Sequence, residues 1–245
     1  MLKLKAVRPE WVTLCASAFF LAGFNFVLWQ HLFAITSADA KGIALRVAFG
    51  AMIFAAFNIV LTFLAFRRVL KPVLILLFLI SASVAYFMSQ YGVLIDAGML
   101  RNFAETNVTE VRDLLSLKLL AYIVFLGVVP SWILWKVPVD YRRWHRELFS
   151  KVIVSFASVA VIGGVALANY QGLSSLFRNH HELRLMLVPS NYIGASAGYL
   201  REQVASAQQP FVKIGEDAQR DVASQNHPRK SLTVLVVGES ARAEN

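Results

Sequence analysis

The chain has 245 residues, 57% of them hydrophobic and 16% charged, with a formal net charge of +9. Ordinary soluble domains are about half apolar and a quarter charged, so this balance argues against a soluble globule and for a membrane protein. A single cysteine, Cys15, excludes an intrachain disulfide, and the basic residues lie in short clusters between apolar runs, which argues against nucleic acid as a partner.

Five apolar stretches follow one another, at about 11–35, 43–66, 72–91, 117–135 and 152–170. Each is long enough to cross about 30 Å of hydrocarbon, which takes about 20 helical residues. Trp11, Trp29, Trp132 and Trp135 lie near stretch ends, where indole rings favour the interface. The first stretch follows Lys3, Lys5 and Arg8 and precedes Ala38-Asp39-Ala40, as a cleaved signal would, but its apolar core is too long, so it reads as a span. Cys15 within it reads as a small packing residue. Asn25, Asn58 and Asn169 are expected to hydrogen-bond to other helices. No span carries a clear acid or base at its centre, which counts against a pump or carrier.

Short-loop lysines and arginines set orientation. They concentrate before the first stretch, in the second loop (Arg67, Arg68, Lys71) and in the fourth (Lys136, Arg142, Arg143, Arg146, Lys151). The N-terminus is therefore expected in the cytoplasm and everything after Tyr170 on the far side.

The third loop contains RNFAETNVTEV. Asn102, Thr106 and Glu110 recur every four residues, so on a helix they form one polar stripe. The amide and hydroxyl could donate to phosphate oxygens and the carboxylate could pair with an ammonium, as a phospholipid headgroup requires. A merely solvated helix face is the alternative.

After 170 the chain turns polar. His180 and His181 are adjacent, so on a helix they diverge by about 100°. They read as surface residues, and His31, His145 and His227 have no local partners. Apolar residues at helical spacing (Ile193, Ala197, Leu200, Val204) predict an amphipathic helix over 191–209, lying on the membrane and ended by Pro210. A polar linker follows over 211–229. The run 232–237 reads as a strand buried on both faces, the first of a parallel sheet, leading into Gly238-Glu239-Ser240. Glu239 could ligate zinc, whereas Ser240 lacks the glycine that a nucleophile elbow needs.

Four segments, YFMSQYGVLIDAGMLRNFAETNVTEV, LFRNHHELRLMLVPSNYI, KIGEDAQR and LTVLVVGESARAEN, together with FNIVLTF in the second span, resemble the lipid A phosphoethanolamine transferases associated with polymyxin resistance. The resemblance covers nearly the whole chain. It implies an α-helical membrane protein with five transmembrane helices, a periplasmic linker with an amphipathic helix, and the first strand of an α/β domain of alkaline-phosphatase type. The implied boundaries are 1–171 for the membrane domain, 172–230 for the bridging segment and 231–245 for the start of the zinc-dependent catalytic domain.

The resemblance also implies an inner-membrane enzyme, with phosphatidylethanolamine as donor and lipid A as acceptor. Glu239 matches the zinc-ligating glutamate of the family's Gly-Glu motif, and Asn102, Thr106 and Glu110 match its headgroup-binding triplet. The family's nucleophilic threonine and its Asp and His ligands follow the Gly-Glu motif and are expected past Asn245. These 245 residues are therefore expected to be the membrane half of a transferase, inactive alone and without tight zinc binding. A non-enzymatic lipid-binding or partner-docking membrane module, or a transferase with another acceptor, are the alternatives.

Overall fold

The computed structural model describes residues 6–207 apart from 106–113, together with residue 234. The chain divides into two units, Met1–Ala205 and Ser206–Asn245. The expected strand at 232–237, apart from Val234, lies outside the described residues, as do most of the linker and Glu239.

Among the described residues, four helices are long and apolar enough to cross a membrane, and a bent pair makes up to five. The bent pair is α1 (Pro9–Phe19), which runs on through a π-helical turn at Phe20–Phe24, and α2 (Phe26–Ile35). The two halves meet at 66°, so the first stretch is broken at Asn25 where the sequence suggested one span. The next spans are α3 (Ala40–Leu64) and α4 (Leu70–Tyr91). A short α5 (Ala97–Glu105) precedes α6 (Leu117–Lys136), which carries a π-helical stretch at Ile123–Val128. The last span, α7 (Trp144–Ala168), starts eight residues before the expected 152, because the charged 144–151 stretch is helical too. Three helices follow, α8 (Tyr170–Asn179), α9 (Leu183–Met186) and α10 (Ser190–Ala207).

Local chemistry sets several boundaries. The Asp39 carboxylate accepts from the Gly42 N–H at 2.9 Å and caps α3. Ser116 Oγ accepts from the Leu119 N–H at 3.1 Å and caps α6; such caps contribute about 1 kcal/mol. Gly92 ends α4 with φ +64°, a left-handed conformation that a Cβ disfavours, and its N–H donates to the Met88 carbonyl. At the far end of α6, Lys71 Nζ donates to the carbonyls of Trp135 and Val137 at 3.0 and 2.7 Å, placing a cation where the helix dipole favours it.

The broken span packs against α3 and α4, with α7 laid along α3 and α6 along α4. Phe20, Phe24, Phe57 and Phe78 form the centre, with ring centroids 5.3–6.1 Å apart. Asn58 Nδ2 donates to Ser158 Oγ across the α3–α7 seam at 3.2 Å, as expected of a polar residue in a span. One end of the bundle gathers the basic loops: Val7 bridges to Val139, and Tyr141 Oη donates to the Phe66 carbonyl. The opposite end carries the 36–39 loop, α5 and the connector from α8 to α10.

Candidate functional site

The connector end is organised by the break in the first span. A bent helix frees carbonyls, and in hydrocarbon each unpaired one costs several kcal/mol. Here side chains take them. Asn25 Nδ2 donates to the Phe20 carbonyl at 2.8 Å, and Trp29 Nε1 donates to the Leu21 carbonyl at 2.9 Å. Trp29 fits because Gly50 on α3 has no side chain; a Cβ there would lie 2.8 Å from the indole. The same Asn25 amide donates to the Val188 carbonyl at 2.8 Å, and the Val188 N–H donates to Asn25 Oδ1 at 2.9 Å. One asparagine, 1% exposed, thus closes the kink and ties it to a segment 163 residues later.

That tie brings His31, His180 and Glu182 together. His31 Nε2 lies 3.1 Å from Glu182 Oε1, and His180 Nδ1 lies 2.9 Å from the same oxygen. The two imidazoles meet edge to face at 6.2 Å. Glu182 sits at about 2, well below its ordinary 4.5, through a hydrogen bond from its own backbone N–H and then through His180 and His31. From the sequence, His180 is expected on the surface and His31 without a local partner. No local spacing could have paired positions 151 residues apart.

Beside the cluster a cavity of about 760 Å³ opens between α3 and α8, lined by Ser37, Lys41, Asn169, Gln171, Ser175 and His180. Leu45, Leu167 and Leu176 also line it, so polar and apolar residues share the wall, and Lys41 is its one lysine. Nearby Arg46 is already committed, donating to Thr36 Oγ1 at 2.7 Å and to the Thr36 carbonyl at 2.8 Å.

Asn102 stands exposed on α5. Asp96 Oδ1 accepts from the Met99 N–H at 2.8 Å in the first turn of α5, and Arg101 pairs with Glu202 of α10. α10 is seated on α4 in turn, with Tyr192 Oη 3.3 Å from Ser81 Oγ and Asn191 Nδ2 donating to Met88 Sδ. Burial pushes the Tyr192 phenol up to about 12. Ile193, Ala197, Leu200 and Val204 are all exposed, the apolar stripe expected of a membrane-lying helix. Thr106 and Glu110 fall outside the described residues, so of the expected stripe the structure places only Asn102.

Residues 53–204 match the model of a family described as phosphoethanolamine transferase EptA/EptB. The phosphoethanolamine transferase EptA of Escherichia coli K12 is 39% identical over 197 residues, covering 78% of this chain and 35% of that protein. The phosphatidylethanolamine transferase Mcr-1 of Escherichia coli is 33% identical over 247 aligned positions, covering 98% of this chain and 45% of that protein. The structure of the lipooligosaccharide phosphoethanolamine transferase A (EptA) from Neisseria meningitidis superposes with a TM-score of 0.76 at 26% identity, over 81% of this chain and 37% of that one. The chain thus spans less than half the length of these relatives. It is an integral membrane protein and belongs to the phosphoethanolamine transferase EptA/EptB family.

Proposed function

We propose that this chain is the membrane domain of an enzyme that moves phosphoethanolamine from phosphatidylethanolamine to a lipid A phosphate. The observation that carries the reading is the family match through residues 53–204, which contain α5 and its loop. The membrane is the bacterial inner membrane, with the basic end in the cytoplasm and α5, the connector and all later residues in the periplasm. Residues 1–171 form the membrane domain, 172–230 the bridging segment, and 231–245 the start of the catalytic domain.

Asn102 and Thr106 donate to the donor's phosphate oxygens, and Glu110 pairs with its ammonium. Arg101 of α5 pairs with Glu202, and a headgroup clamp on this segment lowers the entropic cost of presenting a lipid. Capping a lipid A phosphate with an ammonium-bearing group reduces the negative charge that attracts cationic peptides, the basis of polymyxin resistance. Zinc, when bound to the complete enzyme, neutralises phosphoryl charge and activates an attacking hydroxyl. Glu239 contributes one ligand to it; a lone carboxylate does not make a four-coordinate site, so the 245 residues alone hold no catalytic zinc and transfer nothing.

Two measurements test this. Native mass spectrometry of the detergent-extracted chain should show retained phosphatidylethanolamine. Glu110→Ala should weaken that retention about tenfold or more, the worth of a charge-assisted bond. Equal retention by wild type and variant removes the clamp. Mass spectrometry of lipid A from cells expressing only residues 1–245 should show no added phosphoethanolamine, and any addition overturns the inactivity.

A further inference from the structure

We propose that His31, His180 and Glu182 form a divalent-cation site, suited to zinc, that staples the broken first span to the connector. The donor atoms all lie within 4.8 Å of one another. Tetrahedral zinc with bonds of about 2.0–2.2 Å places its ligand atoms about 3.3–3.6 Å apart. Two of the separations here, 3.1 and 2.9 Å, already fall near that range. Those two would widen by about a few tenths of an ångström to reach it, and the His31 and His180 donor atoms are also within 4.8 Å of each other.

Ligand chemistry and electrostatics both fit. Two imidazoles and one carboxylate form a borderline nitrogen-and-oxygen set of the kind zinc accepts, leaving a fourth position for water. A metal ligand must be deprotonated, and a carboxylate is ionised at neutral pH. On binding, each imidazole presents the lone pair of the nitrogen that now faces the carboxylate, its proton moving to the far ring nitrogen.

The site is also preorganised. His31 is one turn and a half beyond the kink, and Asn25 at the kink holds Val188, in the segment that carries His180 and Glu182. Metal-site affinity depends on such supporting contacts as well as on the ligands. The ligands come from α2, from the C-cap of α8 and from the turn before α9. A bound ion would therefore bridge a membrane helix and the connector that leads to α10.

Zinc titration of the detergent-solubilised 245-residue chain tests this, with Glu239→Ala run in parallel to remove the other expected ligand. One equivalent should bind in both. His31→Gln and His180→Gln keep an N–H donor for Glu182 but are poor zinc ligands, and each should weaken binding about 100-fold or more. His181→Gln should leave it unchanged. Zinc-edge X-ray absorption on the loaded Glu239→Ala protein, which needs no folded ligand variant, should show two imidazoles in a nitrogen-and-oxygen shell. No zinc bound by the wild type, binding lost in Glu239→Ala, unaltered binding in both Gln variants, or a shell without imidazole overturns the proposal.

Discussion

The broken first span and α7 have similar apolar character in the sequence and opposite fates in the fold. The first span is bent by 66° and buries one face, with Phe20, Phe24, Leu28 and Leu32 each at most 3% exposed while Trp11, Phe26 and Phe33 stay exposed. α7 is one continuous helix of 25 residues whose large side chains face outward, Phe156 at 76% and Leu167 at 82% exposed. A helix that meets lipid must satisfy its backbone within itself. One surrounded by other helices can break, provided that side chains take up the freed carbonyls, as Asn25 and Trp29 do.

The comparison can be broken by mutation. Phe78→Ala, in the aromatic centre that receives the first span, should destabilise the detergent-solubilised protein by about 3–5 kcal/mol, while Phe156→Ala on α7 should stay within about 0.5 kcal/mol. Thermal unfolding followed by circular dichroism reads both. Equal effects would mean that α7 is as tightly packed as the first span. Asn25→Ala should cost about 3 kcal/mol, because it strands the Phe20 carbonyl and both backbone groups of Val188. It should also raise amide exchange at Val188. A stable variant with unchanged exchange there would show that the kink does not depend on this residue.

A smaller effect concerns Asp39, at the head of α3. The Ser37 hydroxyl and then the Gly42 N–H hold its carboxyl below the ordinary 3.8. A depressed folded-state value means that the contribution is fully present above 3.8 and is lost as the pH falls through the lowered value. The thermal midpoint of the wild type should therefore drop more between about pH 5 and pH 2 than that of Asp39→Asn. Parallel curves would show that the cap adds nothing measurable.

Much of this architecture is legible from the residues themselves. Spans over α3, α4 and α6 follow from hydropathy because the bilayer fixes the length of any crossing helix. The outward stripe on α10 follows from 3.6-residue periodicity, and the clustering of basic loops at one end follows from their spacing along the chain. The expected stripe of Asn102, Thr106 and Glu110 is legible only as a pattern; the structure adds the pairing of α5 with α10 through Arg101 and Glu202.

The amino-acid sequence by itself thus determined a helical membrane protein, its spans and its family, since burial in lipid and helical periodicity are local properties. Tertiary structure alone decided where the first span breaks, which spans are buried, and that His31 meets His180 and Glu182. Those outcomes depend on partners more than a hundred residues away, and no local pattern encodes a contact that only packing creates.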